Sequence, residues 1–391
     1  MKIAMVAQHA TPMRPGNAGI AELTEALARQ GHKVTVYARK QHPDMPDVAE
    51  LGHGVRVEHI SAGPAGQPSD NELLAQLPAF SGPLRDRLAR QRPDVVHAVR
   101  WTSGLAALAA VRGLGIPVVQ AFSSLGAGDS RDHTPAGPAS PAPRARLRLE
   151  PVIGRSADAV VAASSAVVSD LTRLGVPRRS VRCVPCGVDT DMFTPEGPIA
   201  DRNGRPRLLT AADLRERESL ETLLRALTKV PDAELMVVGG PAPDRLRKDP
   251  AYQALASMTG SLGLSDRVIF TGEVDRKSMP ELLRSADLVL STCAYEPSGV
   301  TSLEAMACGR PVMAPPTGGH TDAVVDGTTG ILIPPGRPAL LAQRIRHLLA
   351  HPMLMEAYGA AAADRVKSRY SWDRIATETL AVYDRAQLAA A

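Results

Sequence analysis

ADLVLSTCAYEPSGVTSLEAMACGRPVMAP, residues 286–315, is the stretch on which the fold turns. ADLVLS (286–291) is a short, near-continuous apolar run, the mark of a strand covered on both faces. A polar loop follows, and Val300 to Cys308 reads as a helix. Gly309 and then Pro311 stand in the order expected of a helix stop, and RPVMAP (310–315) is a second apolar run. Strand, helix and strand within thirty residues describe a right-handed crossover in a parallel sheet.

The same unit recurs in both directions. Upstream of a polar break lie IAMVA (3–7), KVTVYA (33–38), VRVEHI (55–60), DVVHAV (94–99), IPVVQAF (116–122) and ADAVVAAS (157–164). A helix is expected from about Gly19 to Gln30. The break is GVDTDMFTPEGPIADRNGRP (187–206), rich in Gly, Pro and Asp. After it come RLLTAA (207–212), AELMVVGG (233–240), RVIFTG (267–272), the two strands already named and GILIPP (330–335), with helices near 219–229 and 251–263. The expectation is an α/β protein of two tandem Rossmann-like, doubly wound domains facing a cleft. The domains are residues 1–190 and 191–370, with a C-terminal helix, 371–391, returning to the first. Ligands in such sheets sit beyond the carboxyl ends of the strands. Residues 126–150 form a proline-rich stretch after a strand end, expected to lack regular structure and read either as a lid over the cleft or as a surface insertion.

Composition narrows the function. With 391 residues, 44% hydrophobic and 22% charged, the chain has the balance of a globular protein. A net charge of +4 without a long basic run argues against a nucleic-acid partner. No stretch reaches the ~20 apolar residues of a membrane span, and the N-terminal apolar run is too short for a signal peptide, so a cytoplasmic location is expected. CVPC (183–186) has no second cysteine pair to complete a zinc site and reads as the end of a strand.

The loop before the helix at Val300 carries the chemistry. The helix start exposes unpaired backbone N–H groups beside Gly299, and an anion can approach them closely. Glu296 precedes this N-terminus, and Glu304 shares a helical face with Val300. Amides for a phosphate with a carboxylate on either side suit a nucleotide sugar. An acid complementing the helix dipole, plus a surface glutamate, is the plainer alternative.

The stretch EPSGVTSLEAMACGRPVMAPPTGGHTDAVVDGTTGILIPP (296–335), with two glutamates separated by seven residues and then Glu-Ala-Met-Ala-Cys-Gly, resembles the donor-site signature of retaining family-four glycosyltransferases of the GT-B fold. GHKVTVYA (31–38), DVVHAVRWTSGLAALAA (94–110), VPCGVD (184–189) and RYSWDRIATETLAVYDR (369–385) extend the likeness, in particular to actinobacterial enzymes acting on inositol phosphate. The resemblance implies that Glu296 holds hydroxyls of the donor sugar, that Glu304 binds the ribose, and that the amides of Gly299, Val300 and Thr301 face the diphosphate. It places Gly16 and Gly19, in PGNAG (15–19), in a glycine-rich loop against the phosphates, while His97, read from its place at a strand end, is either an acceptor contact together with Arg100 and Trp101 or a structural histidine. The implied reaction is front-face transfer with retention, from a nucleoside-diphosphate sugar to a small polar acceptor, with secondary-metabolite, small-thiol or antibiotic biosynthesis as the expected setting. Domain closure assembles the site, and no cofactor is required.

Two segments depart from the pattern. Where the family carries Gly-Arg-x-x-x-x-Lys-Gly, this chain reads ADLRERES (212–219), so that Asp213 and Glu218 stand in place of the two cations. One charge pair at ~4 Å is worth about 4 kcal/mol at an effective dielectric near 20, so the inversion matters. In VVQAFSSLG (118–126), Ser123 occupies the position of the family's histidine near the donor sugar. Three readings follow: Arg215 or Arg217 takes over the phosphate role; Asp213 and Glu218 hold Mg2+ or a cationic substrate; or the chain is a catalytically silent relative that binds nucleotide or sugar.

Overall fold

The computed structural model describes residues 1–8, 19–63, 65–66, 68–126, 144–291, 293, 296 and 298–390. The chain divides into two compact units. One contains the described residues up to Gly187 together with Trp372–Ala390; the other runs from Val188 to Ser371.

Among the described residues of the first unit, eight strands form one sheet: β1 (Lys2–Ala7), β2 (Lys33–Arg39), β3 (Val48–Leu51), β4 (Val55–Ile60), β5 (Val95–Val99), β6 (Val118–Phe122), β7 (Ala159–Ala162) and β8 (Val181–Cys183). Their order is β3-β4-β2-β1-β5-β6-β7-β8. All pairings are parallel except β3 with β4, which is antiparallel at the edge. One face carries Ile3, Met5, Val34 and Val36 against the C-terminal helix Trp372–Ala390, whose Trp372, Ile375, Tyr383 and Ala386 are buried there. The other face packs Ala4, Val6 and Val96 against Phe80, Leu84 and Ala107 of the helices Leu77–Gln91 and Trp101–Ala110.

The second unit contains β9 (Arg207–Ala211), β10 (Glu234–Val238), β11 (Val268–Gly272), β12 (Leu288–Leu290), β13 (Val312–Ala314) and β14 (Gly330–Leu332). All are parallel, in the order β11-β10-β9-β12-β13-β14. This is the doubly wound order, and the direction of winding reverses between β9 and β12. The helix Arg217–Leu227 shows how sequence dictates packing. Leu220, Leu223, Leu224 and Leu227, at i, i+3, i+4 and i+7, form one apolar stripe and are buried against the sheet.

Every strand read from an apolar run is present. β3 is additional, and β8 ends at Cys183, the first residue of the stretch read as a strand end; β3 alternates exposed and half-buried positions, so it lacks the apolar run of its neighbours. Residues 127–143 of the expected lid lie outside the described residues. Against the expectation of irregular chain through residue 150, Arg144–Ser156 is a helix. Its Glu150 and Ile153 are buried, and Arg146 Nε donates to Glu150 Oε1 at 2.7 Å one turn on.

The C-terminal helix is tied to the sheet by a polar contact as well as by packing. His97 Nδ1 lies 2.6 Å from Tyr383 Oη, with the rings edge to face. Replacing Tyr383 with Phe keeps the ring and removes the partner of a buried imidazole. The expected cost is about 1–3 kcal/mol, read by chemical denaturation.

Candidate active site

The site is built where β9, β10 and β12 end. A cavity of about 770 Å3 is lined by Thr210 to Glu216, by Val238 to Pro241, and by Asp249, Ser291, Cys293, Glu296 and Thr301. It lies wholly within the second unit, at the reversal between β9 and β12.

Two glycines shape the backbone around Glu296. Gly299, at φ 65°, is the N-cap of the helix Val300–Ala307 and turns the chain in a left-handed conformation that a side chain disfavours. Gly318, at φ 55°, approaches so closely that a Cβ there would lie 2.3 Å from the Glu296 carbonyl oxygen. The next residue, Gly319, donates its N–H to that carbonyl at 2.9 Å. The segment 317–320 thus clamps the Glu296 backbone beside the helix start.

The Glu296 side chain keeps 22% of its surface exposed. Burial pushes its carboxyl group up to about 7, and the neighbouring charges of Glu216 and Glu304 act in the same direction. The backbone N–H groups of Thr301 and Val300 donate to it and oppose the shift. The open helix start therefore meets a carboxylate of the chain itself, as dipole complementarity favours. Among the residues expected to contact the donor, Glu296 and Thr301 line the cavity; Gly299 and Val300 flank them. Glu304 sits deeper, 7% exposed, with Oε1 accepting from Arg276 Nη1 at 2.7 Å. Arg276 in turn lies over the Phe193 ring.

The cavity's opposite wall carries the inverted charges. Asp213 lines it, clasped by Arg215, whose Nε lies 3.0 Å from both carboxylate oxygens and whose backbone N–H donates to Oδ1 at 2.9 Å. This guanidinium holds the Asp213 carboxyl below its ordinary range. Glu218 is exposed on the first turn of the helix Arg217–Leu227 and does not line the cavity; Glu216, its N-cap, does. Positions two apart on a helix point to different sides, so the cavity wall that carries Asp213 takes Glu216 and not Glu218. Among the described residues no group of three or more His, Cys, Asp or Glu is arranged to hold a metal ion. Arg217 turns along its own helix to Glu221, 2.7 Å away, rather than toward the cavity. Asp249 lines the cavity while capping Pro250–Ser261 through Ala251 N and Tyr252 N.

Three residues of this site carry no signal in the motif reading. Glu216 is half-buried, burial raises its carboxyl above the ordinary range, and the Cys293 side chain bonds to it and opposes the shift. The third is His320, fully buried, with Nε2 3.0 Å from Ser291 Oγ and 3.5 Å from Glu296 Oε2, and Nδ1 3.0 Å from Ser302 Oγ.

The remaining expected site residues lie in the first unit. Gly16 lies outside the described residues. Gly19 starts the helix Ile20–Arg29 and packs against Trp372. Ser123 is exposed just past β6. His97 is 2% exposed on β5, inside the core against Tyr383. Trp101 is likewise 2% exposed, its Nε1 donating to Asp70 Oδ2 at 3.1 Å. Arg100 is exposed at φ 70°, one of two non-glycine residues with positive φ among those described.

The Glu296 environment has a pH signature. Its carboxyl titrates near 7 in the folded chain and near 4.5 when unfolded. The stability linked to protonation is therefore complete below about 4.5 and is lost as pH rises toward 7. Glu296→Gln abolishes this dependence, so its stability relative to the parent should rise between pH 4.5 and 7 and level off above. Denaturation curves across that range read the difference.

Residues 16–187 match the glycosyl transferase 4-like domain, and residues 197–365 match the glycosyl transferases group 1 family. A D-inositol 3-phosphate glycosyltransferase of Jonesia denitrificans is 30% identical over 420 residues, covering 100% of this chain and 97% of the relative. That of Xylanimonas cellulosilytica is 32% identical over 411 residues, covering 98% and 97%. Among solved structures, the sucrose-phosphate synthase of Thermosynechococcus elongatus superposes with a TM-score of 0.85 at 28% identity, covering 98% of both chains. Anabaena HepE, crystallised with UDP-glucose, superposes with a TM-score of 0.72 at 21% identity, covering 97% of this chain and 99% of its own, which extends the likeness in fold alone. With both of its halves matched and relatives aligned over its whole length, this chain has the GT-B fold and belongs to the family-four, group 1 glycosyltransferases.

Proposed function

We propose that the chain transfers a glycosyl group, with retention at the anomeric carbon, from a nucleoside-diphosphate sugar to a small polar acceptor. The observation that carries this reading is the cavity of about 770 Å3 at the strand reversal, into which Glu296 faces beside the first turn of the helix Val300–Ala307. Its volume falls within the range of small-ligand sites. The fold is shared with a protein crystallised with UDP-glucose, and the relatives' name makes D-inositol 3-phosphate the first acceptor to test.

In the proposed reaction the bond between the anomeric carbon and the diphosphate oxygen breaks. A bond to the acceptor oxygen forms on the same face, and the acceptor's proton passes to the departing phosphate. The protein then contributes position and charge rather than a base of its own. Glu296 receives hydroxyls of the donor sugar, and Glu304, already anchored by Arg276, receives the ribose. Arg215, a cation on the cavity wall, meets the diphosphate on release from Asp213. Because Asp213 is engaged by Arg215 and Glu218 faces away, transfer is proposed to need no metal ion.

Thermal shift against a panel of nucleoside diphosphates, with EDTA or Mg2+, tests the donor site. Stabilisation in EDTA by at least one of them is expected; stabilisation by none overturns the reading. With a donor in hand, Glu296→Ala should lower turnover on the order of 10²–10³-fold while the protein stays folded. Arg215→Ala should weaken nucleotide binding about ten-fold.

A further inference from the structure

The wall behind Glu296 contains a buried hydrogen-bonded chain that links three separate parts of the second unit. Ser291 follows β12, Ser302 is the third residue of the helix Val300–Ala307, and His320 opens the short helix His320–Ala323. The imidazole has no exposed surface. One ring nitrogen faces the Ser302 hydroxyl; the other faces the Ser291 hydroxyl and, slightly farther away, Glu296 Oε2.

We propose that His320 is a positioning residue for Glu296: anchored by Ser302 through Nδ1, it presents Nε2–H to Ser291 and to the Glu296 carboxyl group and fixes the direction in which that group faces the cavity. The inference rests on the proposed function only for what Glu296 does with a substrate; the orientation itself belongs to the folded chain.

Chemistry selects the tautomer. Burial holds the ring neutral, its protonated form pushed down to about 4. A neutral imidazole has one donor and one acceptor. A proton on Nδ1 would leave a lone pair on Nε2 facing a carboxylate oxygen, which is repulsive once Glu296 ionises. A proton on Nε2 serves the carboxylate and the Ser291 oxygen, while the Ser302 hydroxyl donates to Nδ1. The charged groups acting on Glu296 from the surrounding elements are Glu216 and Glu304, and both disfavour its ionised form. Beside the amides of Val300 and Thr301, an Nε2–H donor favours it. Removing the imidazole therefore moves the titration of Glu296 upward and frees its rotation.

The test uses the full chain and two readouts. Stability is measured from pH 4 to 9 for the parent, His320→Leu and His320→Gln, each with Glu296 and with Glu296→Gln. The difference between each pair reports the titration of Glu296 alone. The midpoint should rise by about one unit in His320→Leu and return toward the parent in His320→Gln, whose amide N–H can occupy the place of Nε2–H. Equal midpoints in all three overturn the proposal. Should His320→Leu not fold, Ser302→Ala replaces it: loss of the hydroxyl that sets the tautomer should move the midpoint the same way, and an unmoved midpoint again overturns it. Where the parent transfers sugar, kcat in His320→Leu should fall about ten-fold with the donor KM within two-fold, and His320→Gln should recover part of the loss; equal loss in both variants counts against positioning. A parent that transfers nothing contradicts the proposed function, and the titration then decides the role of His320 by itself.

Discussion

A carboxyl group deprived of most of its water, at the first turn of a helix, sets the terms for this site. Glu296 is held there by backbone rather than by its side chain. Its carbonyl oxygen accepts from Gly319 N–H, and the approach is close enough that Gly318 has no room for a Cβ. The side chain then has the amides of Thr301 and Val300 in front of it and His320 behind. Burial and two nearby acids disfavour the ionised form, while the amides favour it; the balance leaves the group about half ionised near pH 7. A carboxyl poised in this way can accept or donate hydrogen bonds to sugar hydroxyls with little change in its surroundings.

The acidic wall opposite follows from the same economy of charge. Asp213, Glu216 and Asp249 face a cavity in which Arg215 is a cation. All three acids already have partners: Asp213 bonds Arg215, Asp249 caps a helix, and Glu216 is bonded by the Cys293 side chain. Of the three, Glu216 acts on Glu296, raising its preference for the neutral form. A diphosphate entering this cavity would compete with Asp213 for Arg215. Binding is then an exchange of anions at one guanidinium rather than the filling of an empty cationic site, and it should be less sensitive to ionic strength than binding at a site with two unpaired cations.

The architecture was legible because parallel strands covered on both faces must be apolar almost throughout. IAMVA, ELMVV and ADLVL cannot easily be anything else. β3 was not legible, since an exposed edge strand has no reason to be apolar, and the helix Arg144–Ser156 was hidden behind the prolines that precede it. The helix start at Val300 and the placing of Glu296 before it could also be read, because capping glycine and helix stop are local signals. Glu216 could not, because a motif assigns a role to position 218 and only the turn of the helix brings 216 to the cavity. His320 could not either: its partners at 291, 296 and 302 lie eighteen or more residues away and meet it only through the sheet and the glycine clamp.

Two buried histidines show why burial alone does not identify a functional group. His97 and His320 are both pushed down to about 4 by loss of water. His97 offers one nitrogen to Tyr383 and leaves the other without a partner, in a core of aliphatic side chains. That arrangement ties a terminal helix to a sheet and has no path to a ligand. His320 uses both nitrogens, on groups from three different elements, and the last of them is a carboxyl group at a cavity. The difference lies in what each ring connects: one joins two pieces of scaffold, the other joins the scaffold to a side chain that faces open space.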